Sequence, residues 1–328
     1  MRFGLFGGAK TKRSLGSGDS HGYSDFIDYV IEAECLGLHS VFLVEHHFTG
    51  AGQVSASLTL LAYLAARTRT IRLGTAVVVL PWHNPVLIAE QAATLDLLSG
   101  GRLEFGIGKG YRASEFAGFH IPMAEAAERF DEAIEIIRKA WTSEGTFSHH
   151  GRHWRFDNIV VEPEPLQRPH PPLWLAAGSP DSIRRAAREG YNLLLDQLGT
   201  IDLSIERAAL FRDECRRIGR AYDPSMVGLT RALQIVRTEA ERSAAYETRE
   251  RVIRTIGDLA RGGGKPSLED DAPLLGTPEE IIARIRRLQE GGIETILLVD
   301  PNASIASLRL FAEHVMTAFG NQRVAAAG

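Results

Sequence analysis

The sequence predicts a closed (β/α)8 barrel. Strand-like and helix-like segments alternate almost throughout the chain, about eight times, and excursions fall between units. Parallel strands joined by helices form either an open doubly wound sheet or a closed barrel, and eight units with excursions favour the barrel. The length agrees, because 328 residues suit one large domain spanning 1–328, and 44% hydrophobic residues supply a sizeable core. No repeat of about 20–50 residues is visible, which excludes a solenoid.

Each element follows from a local pattern. Residues 2–7 read as a short buried strand. Phe26, Val30, Ala33 and Leu36 recur at helical spacing over 24–36, and Gly37 ends that helix. Strand 40–44, helix 55–67 and one long strand 71–80 (IRLGTAVVVL) follow, the last stopped by Pro81. Helix 85–98 carries Pro85 in its first turn, where a missing N–H costs nothing. Strand 103–107 enters a glycine-rich turn, and Phe130, Ile134, Ile137 and Trp141 mark the next helix. Residues 145–165 break the rhythm with short alternating pieces, HHGRHWRF and NIVVEP, that predict a hairpin-like insertion.

The alternation then resumes with strand 173–176, helix 180–189, strand 191–195, helix 205–218, strand 226–236 and polar helix 240–259. Three glycines and three acids within 261–272 leave little to pack, so 261–276 is expected to be a mobile lid loop. Thr277 and Glu280 have capping-box spacing around Pro278. Gly291 and Gly292 close that helix, and strand 293–299 and helix 305–319 end the series.

Composition bounds the function. Lys and Arg number 37 against 41 Asp and Glu, a net charge of −4, which excludes a whole-surface nucleic-acid binder. Cys35 and Cys215 lie far apart with no CxxC, so a disulfide framework is not expected and a reducing cytoplasm is the simplest compartment. No apolar run reaches the roughly 18 residues of a membrane span, and the first residues read as a strand rather than a signal peptide.

In a barrel, chemistry collects where strands end. Strand 40–44 is followed by Glu45-His46-His47-Phe48. Imidazole titrates near neutral pH and suits proton transfer, although structural histidines fit the residues equally well. Adjacent side chains in extended chain point opposite ways, so one of the pair should face a pocket. No HExxH-type spacing supports a metal.

Strand 71–80 leads to Trp82 and His83, which could line a substrate pocket or simply pack on the barrel. Strand 103–107 leads to Gly108-Lys109-Gly110-Tyr111, where exposed backbone N–H groups and a cation suit a phosphate. The third glycine comes one residue too early for GxGxxG. Strand 173–176 leads to Ala177-Gly178-Ser179-Pro180-Asp181-Ser182, a capped helix start that can hold an anion. His149, His150 and His153 are read as a solvated hairpin, and Arg184, Arg185 and Arg188 as a charged helix face.

The segments MRFGLF, SVFLVEHHF, IRLGTAVVVLPWHNP, GRLEFGIGKGY, LWLAAGSPDS and LLGTPEEIIARIRRLQEGGIETILL, taken together and in order, resemble the bacterial luciferase-like flavin-dependent monooxygenases, most nearly the alkanal monooxygenase alpha type. The resemblance implies a TIM barrel that takes reduced FMN from a separate NAD(P)H-dependent flavin reductase. Oxygen adds to that flavin, giving a flavin hydroperoxide that oxygenates a small organic substrate. It further implies that His46 is catalytic and that Ala76-Val77 forms a non-proline cis peptide beneath the flavin ring. Lys109 and Arg129 would hold the phosphate with Ser179 and Ser182, and Tyr111 would contact the flavin. Gly110, Ala177 and Gly178 belong to the same cofactor-binding turns.

Two departures stand out. Luciferase alpha has a reactive cysteine where this chain has Gly108, and an aromatic after the sixth strand where it has Gln197. Neither light emission nor a long-chain aldehyde substrate is therefore expected. A homodimer is expected from the family. The alternatives are hydride transfer with a deazaflavin on the same fold and a non-catalytic flavin-binding subunit.

Overall fold

A computed structural model describes residues 1–10, 21–50, 53–259, 271–300 and 303–320. Its elements begin with β1 (Arg2–Gly7), α1 (His21–Cys35), β2 (Ser40–Leu43), α2 (Ser57–Arg67), β3 (Arg72–Thr75), β4 (Val78–Val79), α3 (Pro85–Leu98) and β5 (Leu103–Gly108). Next come α4 (Ala113–Gly118), α5 (Ala126–Thr142), β6 (Phe147–His150), β7 (Arg155–Ile159), β8 (Leu173–Ala176), α6 (Pro180–Arg188) and β9 (Asn192–Leu195). The chain continues with α7 (Ile201–Arg217), β10 (Val227–Ile235), α8 (Glu239–Leu259), β11 (Leu274–Gly276), α9 (Pro278–Glu290), β12 (Thr295–Val299) and α10 (Ile305–His314). Hydrogen-bonded strand order is β11-β10-β12-β1-β2-β3-β5-β8-β9, and β9 also pairs β10, the order of a closed (β/α)8 barrel.

Two compact units share the chain. One comprises Met1–Gly7, Asp25–Val41 and Ala176–Gly328. In it β12 runs parallel to β1, with Arg2 opposite Thr295, and parallel to β10, with Gly228 opposite Thr295. β9 pairs β10 through Leu193 and Val227. These strands read as continuous apolar runs because parallel strands are covered on both faces. Phe3 on β1 packs edge-on against Phe311 of α10, with ring centroids 5.2 Å apart.

The other unit comprises Gly8–Ser24 and Phe42–Leu175. Here β5 is central: Leu103 lies opposite Leu73 of β3, Ile107 opposite Val78 of β4, and Phe105 opposite Leu173 of β8. Phe42 meets Trp174 edge-on at 5.6 Å. The Trp174 indole N–H donates to the buried Glu104 carboxylate at 2.6 Å, and Arg72 pairs with the same carboxylate. A charge so placed is tolerable because it is paired and hydrogen-bonded.

The helix starts follow their sequence signals. Asn84 caps α3, its side chain accepting from the Val86 N–H at 3.0 Å, with Pro85 first in the helix. Thr277 and Glu280 form the reciprocal capping box of α9.

Some expectations require correction. The single strand 71–80 is two short strands, β3 and β4, interrupted at Ala76-Val77, whose peptide bond is cis. The last helix is α10 followed by a 3₁₀ turn over Met316–Phe319. Residues 145–165 hold the antiparallel pair β6 and β7. They are not a solvated hairpin throughout, since His149 and His153 are buried against α5. Of the lid 261–276, residues 261–270 lie outside the described residues, while Leu274–Gly276 is a buried strand beside β10. Among the described residues, no helix is long and apolar enough to cross a membrane.

Candidate active site

The unit built around β5 gathers a paired carboxylate–imidazole cluster at the ends of β2, β4 and β5. Glu45 leaves β2 and is 3% exposed. Its Oε1 accepts from His47 Nε2 at 2.8 Å and from His83 Nε2 at 2.6 Å, and its Oε2 accepts from the Val79 N–H at 3.0 Å. Burial pushes this carboxyl up. The donated hydrogen bonds from His47 and His83, the charge of His83 and the Val79 N–H outweigh burial and hold it below the usual carboxylate range. Glu45 therefore ties β4 and the segment after it to the exit of β2.

The second carboxylate is Glu115 of α4, 1% exposed. Its Oε1 accepts from the His47 N–H at 2.9 Å and contacts His46 Nδ1 at 3.1 Å. A carboxylate oxygen can only accept, so the proton sits on Nδ1 and His46 Nε2 is the nitrogen left for chemistry. The buried Arg112 guanidinium lies 3.8 Å from the same oxygen. The adjacent histidines thus part company as extended chain requires. His46 goes to Glu115, with the Tyr111 ring edge-on at 6.4 Å, and His47 goes to Glu45.

An aromatic wall supports the cluster. Trp82 stacks on Phe119 at 5.4 Å and meets Phe116 edge-on at 5.4 Å, while His47 packs against Phe119 at 4.8 Å. The Trp82 indole N–H is buried with no hydrogen-bond partner. Trp82 and His83 are thus fixed to the scaffold through Phe119 and Glu45.

Two glycines shape the turn after β5. Gly110 adopts φ +77, and a Cβ there would lie 2.8 Å from Val79 Cγ1 and 3.2 Å from Trp82. Gly108 has the Val77 Cγ2 methyl 2.5 Å from where its Cβ would stand, so the bare backbone at 108 belongs with a valine at 77. Between them Lys109 is exposed, its ammonium 5.8 Å over the Phe130 ring. Arg129 pairs with Glu125 at 2.9 Å and lies 5.8 Å over Trp154.

The structure thus brings His46, Trp82, His83, Lys109, Gly110 and Tyr111 into one region. It adds Glu45, Arg112 and Glu115, which sequence reasoning did not select. Ala76, Val77 and Arg129 lie in the same unit.

Ala177, Gly178, Ser179 and Ser182 belong to the other unit. There Ser179 caps α6, accepting from the Ser182 N–H at 3.3 Å, and the Ser182 hydroxyl donates to the Ser179 carbonyl at 2.9 Å. The helix face beyond is charged: Arg184 pairs with Asp181, Arg185 with Glu189 and Arg188 with Glu214. Among the described residues, no group of three or more His, Cys, Asp or Glu could hold a metal ion.

The chain is similar to known proteins along nearly its whole length. A family model described as luciferase-like monooxygenase matches residues 1–295. An uncharacterized protein of Sinorhizobium fredii is 37% identical over 52% of this chain, a match that spans about half of that protein's length. The oxygenase component of a flavin-dependent trigonelline monooxygenase from Acinetobacter baylyi is 27% identical, covering 99% of this chain and 97% of its own. An F420-dependent glucose-6-phosphate dehydrogenase of Intrasporangium calvum is 30% identical over 87% of this chain and 91% of its own. Among solved structures, the monooxygenase RslO1 from Streptomyces bottropensis superimposes with a TM-score of 0.86 at 29% identity, covering 97% of this chain and all of that one. The barrel topology and the family match together establish that this chain belongs to the luciferase-like monooxygenases, a family of flavin-dependent oxidoreductases.

Proposed function

We propose that the chain is the oxygenase component of a two-component, FMN-dependent monooxygenase. Reduced FMN would come from a separate NAD(P)H-dependent flavin reductase, and oxygen and a small organic molecule would be the other reactants. The observation that carries this reading is the His46–Glu115 pair, which leaves one imidazole nitrogen available with the Tyr111 ring alongside.

The residues present fit a flavin. A Cβ at Gly110 would collide with Val79, Phe116 and Trp82, so glycine is what lets this turn pack on the aromatic wall, and the buried Trp82 N–H in that wall has no hydrogen-bond partner. Lys109 and Arg129 supply cations for a phosphate in this unit; in the other unit Ser179 and Ser182 are hydroxyls at a helix start, to which the family resemblance also gives a phosphate role. The resemblance adds Tyr111, Gly110 and the Ala76-Val77 segment in the first of these units, and Ala177 and Gly178 in the second. When bound, reduced FMN supplies the activation of oxygen.

The chain's own residues do the rest. Glu115 fixes the His46 tautomer and ring plane, so that Nε2 holds or moves a proton. Glu45 holds His47 and His83 in place, and the Trp82–Phe116–Phe119 wall excludes water from this side. Trp82 and His83 are proposed to stand on the substrate side. Arg129 would have to give up its Glu125 contact to hold a phosphate, so its contribution would be smaller than that of Lys109, which has no acidic partner among the described residues.

Anaerobic titration with reduced FMN, followed by admission of oxygen, tests the reading. Binding of reduced FMN followed by oxygenation of a substrate supports it, and a chain that ignores FMN in both redox states refutes it. The likeness to an F420-dependent dehydrogenase favours a second reading, hydride transfer with a deazaflavin. Spectra of the cofactor retained after incubation with each one separate the two.

We place the enzyme in the cytoplasm. We propose a homodimer through α3, which leaves Leu87, Leu97 and Leu98 exposed. Light scattering that returns a monomer mass at micromolar concentration would refute the dimer.

A further inference from the structure

The insertion formed by β6 and β7 leans on α5 through one carboxylate. Glu132 of α5 accepts from the backbone N–H groups of Trp154 at 2.9 Å and His153 at 3.0 Å, and His149 Nε2 donates to it at 3.2 Å. Burial pushes the Glu132 carboxyl up, but these donors outweigh it and hold it below the usual carboxylate range. The contact delivers two side chains to the start of α5. The Trp154 ring carries the Arg129 guanidinium 5.8 Å above it, and the His153 side chain, 6% exposed, faces Glu125 and Glu128.

His153 is placed to take a second proton. Its Nδ1 lies 3.7 Å from Glu125 and its Nε2 3.6 Å from Glu128, too far for hydrogen bonds, and Nε2 is buried with no hydrogen-bond partner. A neutral imidazole has one N–H and one lone pair, so with a carboxylate before each nitrogen a lone pair must face an acceptor. Only the imidazolium presents a donor to both. Two cations offset the carboxylates while the ring is neutral. Arg152 holds both oxygens of Glu128 at 2.7 Å, and Arg129 Nε donates to Glu125 at 2.9 Å. Other charges of the insertion and of α5 are engaged elsewhere: His150 and Arg155 pair with Asp157, and Glu135 pairs with Lys139 and lies 3.8 Å from His149. Glu125 stands apart, because its cation is one that the family resemblance gives to the phosphate.

Resting on the FMN reading, we propose that Arg129 and His153 share Glu125, and that His153 is thereby a positioning residue for the phosphate. A proton taken from solvent by His153 draws Glu125 to the imidazolium and releases Arg129 to the phosphate. Phosphate binding and proton uptake are then linked, each favouring the other by the same factor. Reduced FMN is held more tightly as pH falls through the imidazole range and more loosely as pH rises through it.

Two measurements on the full chain test it. Without flavin, NMR pH titration follows the His153 ring in the parent and in Arg129→Met. Removing the guanidinium leaves Glu125 to His153, so the titration midpoint should move up by about 0.5 pH or more. Under anaerobic conditions, reduced FMN is then titrated at about pH 6 and about pH 8, on either side of the imidazole range. The gain in affinity at the lower pH should be about three- to fivefold larger in the parent than in His153→Asn, the size of one partly exposed ion pair. The ligand's own titration is common to every variant and cancels in that ratio. Glu125→Gln should lose the extra response as well, and serves if His153→Asn misfolds. An unmoved His153 midpoint in Arg129→Met, or variants that respond to pH as the parent does, would overturn the proposal. A midpoint that moves in a chain that leaves reduced FMN unbound refutes the flavin reading and the ligand assigned here, while FMN binding without the extra pH response refutes this inference alone.

Discussion

Adding one methyl at position 108 puts the packing of the glycine turn on trial. A Cβ on residue 108 would stand 2.5 Å from Val77 Cγ2 and 3.5 Å from Val77 Cβ. Carbon atoms rest about 3.5–4.0 Å apart, so the methyl pair must separate by about 1 Å. Val77 cannot swing clear cheaply, because a β-branched side chain is stiff about χ1. Residue 108 is buried at the end of β5, where Val79 pairs with it, so the backbone has little room to move. Overpacking of this kind costs about 1–3 kcal/mol.

Gly108→Ala should therefore lower the urea midpoint by roughly 1 M, taking an m-value of about 2 kcal/mol/M. Val77→Ala alone should cost about 1 kcal/mol, as a small truncation of a half-buried side chain. The double variant should recover at least about 1 kcal/mol relative to the sum of the singles. Urea unfolding followed by far-UV circular dichroism measures all four proteins. An unchanged Gly108→Ala midpoint, or strictly additive singles, would refute the steric coupling and with it the explanation of why glycine stands at 108.

Other perturbations test the remaining links. His46→Ala should retain reduced-FMN affinity while substrate oxygenation falls roughly 10²-fold or more, and full activity in the variant would remove His46 from the chemistry. Glu115→Gln should shift the pH–rate profile without changing the thermal midpoint by more than about 4 °C, because it alters the partner of His46 Nδ1 rather than the core. An unchanged profile would make that contact structural only. Since the Glu45 carboxyl titrates below its ordinary value, its contribution to stability is complete above about pH 4.3, the unfolded value. That contribution is lost as pH falls through the lower folded value. Glu45→Gln should accordingly flatten the acid limb of stability against pH, and an acid limb identical to the parent's would contradict the assignment. Thr277→Ala removes the α9 cap and should cost about 1 kcal/mol, measured by denaturant unfolding.

The alternation of strand and helix was legible because parallel strands buried on both faces must be apolar runs and the covering helices must be amphipathic. Helix starts at Pro85 and Thr277 were legible because capping is a short-range hydrogen-bond pattern. His46 could be selected from its place after β2, and the glycine turn from its composition. The carboxylates that organise the site could not: Glu115 is 69 residues from His46, and His83 is 38 from Glu45, and nothing local marks either pair. The interruption of strand 71–80 was hidden because IRLGTAVVVL keeps its apolar character across the break. His149 and His153 read as solvated from composition, yet Glu132 and Glu128 of α5 and Glu125 just before it receive them. Buried histidine near carboxylates is a tertiary fact.

Lys109 is proposed to hold the flavin and His46 to handle the proton. Anaerobic equilibrium titration of reduced FMN into the parent, Lys109→Ala and His46→Ala measures this directly. The parent should bind stoichiometrically, Lys109→Ala at least about tenfold more weakly, and His46→Ala with parental affinity. A parent chain that leaves reduced FMN unbound, or a Lys109→Ala chain that binds it as the parent does, would contradict it.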